Sequence, residues 1–150
     1  MKFSIATSYF YQIRNFKPNM IPVSTAISDP AWYRPPADKE YYIDKRGIVC
    51  GLRYEPLIVQ AQGSHSCPCM NPFNAPFCPT MVEYRQLLYK LVDKEKTLKA
   101  FEYCLNKFNA DIIVLIVYET PKNLCSERLV LQEFFGCEEL KYPIGENYEN

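Results

Sequence analysis

The chain has no excess of either charge. Seventeen Lys and Arg balance seventeen Asp and Glu, which excludes the strongly basic footprint of a protein that coats nucleic acid without sequence preference. A local basic groove remains compatible with that balance. There is also no long apolar run. The longest, Ile112–Val117, is far short of the ~20 residues that cross a bilayer. No charged stretch followed by an apolar segment and a small-residue cleavage site stands at the N-terminus. These absences predict a cytoplasmic protein with no membrane partner. The seven cysteines lack the even count of a disulfide framework, and Cys50, Cys104, Cys125 and Cys137 stand singly in predicted strands or helices. Metal binding, catalysis or burial is left for these thiols. There is no internal repeat and no domain boundary, so the 150 residues read as one domain.

Hydrophobic residues make up 48% of the chain, enough for a sizeable core, and the twelve Tyr and nine Phe can either pack that core or stack on bases. Residues 2–6 and Met20–Ser24 are β-like runs. Between residues 29 and 41, Pro30, Pro35 and Pro36 exclude a regular helix and mark an ordered loop or a mobile flap. Residues 50–59 carry a further strand pattern. Residues 61–79 combine Gly, Ser, Asn, Pro and Cys, and no regular element fits such an insertion. Helical periodicity returns with Met81, Tyr84, Leu87, Leu88 and Leu91 on one face, after a Thr80 able to cap the first turn. Lys94–Phe108 repeats the pattern with Leu98, Phe101, Cys104, Leu105 and Phe108 inside. The continuous β-branched run Ile112–Val117 reads as a buried central strand, residues 126–135 as a helix ended by Gly136, and the last ten residues as a short edge strand and tail. Together these predict an α/β domain with a mainly parallel, Rossmann-like sheet flanked by helices.

The strand–turn–helix at residues 112–128 puts Glu119 at the carboxyl end of a central strand and Cys125 at or just before a helix start, with Ser126 and Arg128 beside it. Ligands usually bind at that edge of an open α/β sheet. Free N–H groups at a helix start favour a phosphate or the cysteine's own thiolate. Glu119 is placed to act as a general base or to accept a hydrogen bond from a sugar or base. A buried, inert Cys and an exposed Glu127–Arg128 pair are the plainer alternative for the same residues.

The stretch Leu115-Ile-Val-Tyr-Glu-Thr-Pro-Lys-Asn-Leu-Cys125-Ser-Glu-Arg-Leu-Val130 resembles the C-terminal motif of the domain-of-unknown-function-488 family. So do Ala6-Thr7-Ser8-Tyr9-Phe10, Ile13-Arg14-Asn15, Ile21-Pro22-Val23-Ser24 and Pro30-Ala31-Trp32-Tyr33, in the order of that family's opening segment. The resemblance adds Thr7, Ser8, Tyr9, Arg14, Ser24 and Trp32 as ligand-binding candidates. It departs from the family in one respect: many members carry His and Arg directly after the Cys, where this chain has Ser126 and Glu127.

His65-Ser66-Cys67-Pro68-Cys69, with eight residues between Cys69 and Cys78, clusters thiols in the irregular insertion. A metal bound there would order a loop with few apolar contacts. Cys67, Cys69 and Cys78 with His65 or Cys50 would close a tetrahedral zinc site; an iron–sulfur cluster is the alternative cofactor. Two functions follow. One is a nucleotide, nucleoside or nucleic-acid-end binding or processing domain, with an anion held between residues 119–128 and a wall formed by residues 7–11, Arg14 and Trp32, and with Glu119 and Cys125 as its catalytic candidates. The other is a non-catalytic, metal-stapled module that contacts nucleic acid or protein through a Tyr-rich surface at Tyr33, Tyr41 and Tyr42.

Overall fold

The computed structural model describes residues 4–58, 79–118, 120–121 and 126–141. In chain order the elements are β1 (Ser4–Tyr9), β2 (Met20–Ser24), β3 (Tyr42–Ile43), β4 (Val49–Cys50), α1 (Pro79–Leu91), α2 (Lys94–Phe108), β5 (Ile112–Val117), α3 (Glu127–Phe135) and β6 (Glu138–Glu139). Short 3-10 turns occupy Phe10–Asn15, Ala31–Tyr33 and Glu55–Leu57.

The main sheet is parallel throughout, in the order β2-β5-β1-β6. β5 lies between β2 and β1, and Ile113 to Val117 are fully buried, which is why this strand is apolar at every position rather than at alternate ones. Ile113, Leu115 and Val117 pack under the helices with Leu88, Phe101, Leu105 and Leu131. Val114 and Ile116 face the opposite layer, where Phe10, Ile13, Tyr33 and Ile48 cover them. Among the described residues the three helices therefore lie on one face of a Rossmann-like sheet. The other face is closed by 3-10 turns and the small antiparallel β3–β4 pair.

Local chemistry explains the boundaries. Asp93 caps α2 by accepting a hydrogen bond from the Lys96 N–H, and Asn109, at φ 54°, ends the helix in the left-handed conformation. Ser126 caps α3 through the Arg128 N–H, and Gly136, at φ 65°, terminates it. α1 opens at Pro79, whose missing N–H suits the first helical position, so Thr80 lies inside the first turn instead of capping it. Leu91, last of the periodic set, is exposed, and Val92 just beyond the helix is buried in its place. The strand pattern at residues 50–59 yields only Val49–Cys50, a single bridge from Arg53 to Ser24, and the turn Glu55–Leu57.

β2 is an edge strand, which is how it tolerates Pro22. Its outer side is not left open. The Ser24 N–H donates to the Leu52 carbonyl and the Tyr54 N–H to the Ser24 carbonyl. The buried Tyr33 hydroxyl sits 2.6 Å from the Leu52 carbonyl oxygen and 3.1 Å from that of Pro22. Tyr33→Phe should therefore cost about 1–3 kcal/mol, the usual penalty for a buried acceptor losing its donor. Urea unfolding monitored by circular dichroism measures it; an unchanged midpoint would show that the hydroxyl does not brace this edge.

Candidate functional site

Strands of a parallel sheet end on a common edge, and β1 and β5 run in register to Tyr9 and Val117. The chain leaves β1 straight into the Phe10–Asn15 turn and leaves β5 through Tyr118, so aromatic residues next in sequence to two strand ends meet there. Phe10 packs against Tyr118 at 4.9 Å between ring centroids, against Tyr33 at 5.3 Å and edge-on to Trp32 at 6.3 Å. Above this buried ring opens a cleft of about 1130 Å³. Tyr9, Phe10, Ile13 and Pro30 line its depth, and Tyr11, Arg14, Trp32, Arg46, Tyr118 and Thr120 complete it. Tyr11 is 63% exposed, Trp32 52% and Tyr118 37%.

The two guanidinium groups play different parts. Arg46 binds the Asp44 carboxylate at 2.8 Å and donates to the carbonyls of Ile13 and Arg14, satisfying acceptors at the end of the 3-10 turn. Burial pushes the Asp44 carboxyl up, but hydrogen bonds from the Ile48 and Arg46 N–H groups and the Arg46 side chain outweigh it and hold the group below its ordinary value. Arg14 instead lies over the Tyr11 ring at 4.8 Å and donates to the Tyr11 hydroxyl at 2.5 Å. Among the described residues no carboxylate forms an ion pair with it. An aromatic cleft with one such cation can hold a planar ring and an anionic group together.

Of the residues nominated from sequence, Tyr9, Arg14 and Trp32 line this cleft. Thr7, Ser8, Ser24, Ser126 and Arg128 are buried and do not. Thr7 donates to Glu139 at 2.8 Å and accepts from the Gln132 amide at 2.8 Å. Arg128, only 3% exposed, binds Glu139 at 2.7 Å and lies over the ring of Tyr9, a cleft residue, at 5.8 Å. Burial pushes the Glu139 carboxyl up; Arg128 and the Thr7 hydroxyl oppose the rise. Ser24 donates to Asp29 at 2.5 Å, and Asp29 also binds Arg53 at 2.9 Å. Glu119 and Cys125 lie outside the described residues, as do His65, Cys67, Cys69 and Cys78.

Of the tyrosines nominated as a surface, Tyr33 is wholly buried, while Tyr41 and Tyr42 are half-buried. Tyr41 packs edge-on against Phe108 at 4.9 Å, and the Tyr42 hydroxyl donates to the Trp32 carbonyl at 2.5 Å. These rings serve packing and hold Trp32 in position. Among the described residues no group of three His, Cys, Asp or Glu is placed to hold a metal ion. Cys50 is 1% exposed, and burial with the nearby Asp44 charge pushes its thiol up to about 11. The neutral thiol then persists from pH 7 to pH 9, with thiolate forming only as pH approaches 11. Peptide-resolved iodoacetamide labelling should find Cys50 protected at pH 8 in the folded protein and labelled in urea; rapid labelling when folded would contradict the burial.

Sequence patterns pointed to β1 and the β5 turn, but they held no signal for Arg46, which is brought in by the β3–β4 turn from a distant segment. The class is therefore a Rossmann-like parallel α/β fold with an aromatic, cationic cleft at the carboxyl edge of its sheet. No family model, curated protein or solved structure matches the chain. No helix among the described residues is long and apolar enough to cross a membrane.

Proposed function

We propose that the cleft binds a nucleotide-class ligand, one with a planar base and a phosphate. The observation that carries this reading is the placement of the Arg14 guanidinium among three exposed rings, Tyr11, Trp32 and Tyr118, at the edge where parallel sheets take ligands. The base would stack on the indole or a phenol, and Arg14 would donate to the phosphate. Glu119, between two cleft residues in sequence, and Cys125 belong to this proposal as the groups that would orient a ribose, act as base or serve as nucleophile. Kinship with the domain-of-unknown-function-488 family is likewise proposed on the motifs alone. For the insertion, we propose a zinc site at Cys67, Cys69 and Cys78, closed by His65 or Cys50; elemental analysis finding less than about a tenth of an equivalent of transition metal would refute it.

Trp32 is the only tryptophan in the chain, so its fluorescence reports directly on the cleft. Thymidine monophosphate should quench it in a saturable way, and thymidine more weakly. Arg14→Ala should weaken the nucleotide by roughly 10- to 100-fold, the worth of one charge-assisted hydrogen bond, with little effect on thymidine. Equal losses for both ligands would remove the phosphate role, and no response to millimolar nucleotide would remove the reading.

A further inference from the structure

We infer that the natural ligand is a single-stranded nucleic-acid segment of at least two nucleotides, whose backbone crosses residues 29–34 into a second, basic cavity. This rests on the nucleotide reading of the aromatic cleft and goes beyond it.

Three observations converge. The first is size. At about 1130 Å³ the cleft exceeds the range of roughly 300–1,000 Å³ that small ligands occupy, and it offers three exposed rings where one base needs one or two. Successive bases stacking on successive aromatic side chains is the usual way single strands are held without sequence preference.

The second is a neighbouring cavity of about 370 Å³, lined by Ser28, Asp29, Arg34, Pro35, Lys39 and Arg53 among others. It borders the same short segment as the cleft: Pro30 and Trp32 line one, Asp29 and Arg34 the other. From Trp32 to Arg34 is two residues, at most about 7 Å of chain, short enough for one nucleotide's backbone to bridge.

The third is charge. The Asp29 carboxylate, which would otherwise repel a phosphate, is held by Arg53 at 2.9 Å and Ser24 at 2.5 Å. Arg34 is fixed by donating its Nε–H to the Asp29 carbonyl at 2.9 Å. Among the described residues neither Arg34 nor Lys39 enters an ion pair. A first phosphate at Arg14 and a second at Arg34 and Lys39 would give the local basic track that a neutral net charge allows. Ile27, Pro35, Pro36 and Ala37 give the second cavity apolar walls, and Arg34, Lys39 and Arg53 supply the cations that suit a phosphate.

The test is a Trp32 fluorescence titration with thymidine monophosphate and with the 5′-phosphorylated thymidine dinucleotide, across a range of salt. The dinucleotide should bind roughly tenfold tighter, beyond the twofold that two registers supply. The double variant Arg34→Gln/Lys39→Gln should bring the dinucleotide to within about threefold of the mononucleotide. It should leave mononucleotide affinity unchanged, which also certifies the fold, and lower the dinucleotide's log–log salt slope by about 0.7–1.4. Lys39→Gln alone, at an exposed position, should show part of the same loss. A dinucleotide within twofold of the mononucleotide would overturn the inference while leaving the nucleotide reading intact. So would a double variant that weakens both ligands equally. Silence toward both ligands would remove both readings, and quenching by peptides alone would assign the cleft to a protein partner.

Discussion

Glu139→Ala is expected to destabilise the fold by about 3–5 kcal/mol, because it strips the carboxylate from a guanidinium that is itself buried. Arg128 is 3% exposed and binds Glu139 at 2.7 Å, while Thr7 donates to the same carboxylate oxygen. The intact pair is not thereby a large net source of stability, since burial opposes the charge on Glu139 and desolvating both groups offsets their attraction. Removing one partner is the costly change. For a domain of this size the loss should lower Tm by about 6–20 °C. Glu139→Gln, which keeps an acceptor for Thr7 but no charge, should fall between wild type and Ala. The double change Arg128→Met with Glu139→Leu should recover most of the loss. Thermal unfolding of the four proteins decides it; a double variant as unstable as Glu139→Ala would mean that the residues act independently. Because Arg128 also lies over Tyr9, which lines the cleft, Glu139→Ala should weaken the proposed nucleotide binding beyond what unfolding explains.

Leu115→Ala is the second large effect, at about 2–5 kcal/mol. Leu115 is fully buried in β5, paired with Thr7 on one side and Val23 on the other, under the helical layer. The vacated volume has strands on both flanks, so the surroundings cannot collapse into it. Leu129→Ala on α3, where the side chain is 38% exposed, provides the contrast and should cost well under half as much. Comparable losses at the two positions, measured by urea unfolding, would contradict the placement of β5 at the centre of the core.

Much of the fold was legible because the signals are local. A continuous β-branched run, the helical spacing of Phe101, Leu105 and Phe108, and Gly136 after α3 are each read from a few neighbouring residues, and β5, α2 and α3 lie where they predict. The covering of the second face was not legible. Residues 7–58 contribute only 3-10 turns and two-residue strands there, and such short pieces are selected by contacts with Val114 and Ile116, not by periodicity. The candidate site divides in the same way. Tyr9, Arg14 and Trp32 were nominated through the motif resemblance; Arg46 was not, because only the β3–β4 turn brings it to the carbonyls of Ile13 and Arg14.

By itself the sequence determined the class of fold and the central strand, since both follow from the apolar pattern, and it pointed to the carboxyl edge because parallel sheets usually take ligands there. Only the tertiary structure decided which cation lines the cleft at that edge. Arg128, in the first turn of α3, looked placed for an anion, but β6 pairs beside β1 and sets Glu139 against Thr7, which are 132 residues apart. That carboxylate draws Arg128 into the interior and leaves Arg14 facing the cleft. A residue's distance along the chain carries no record of such a partner, and in a low-dielectric interior the partner determines where a charge lies.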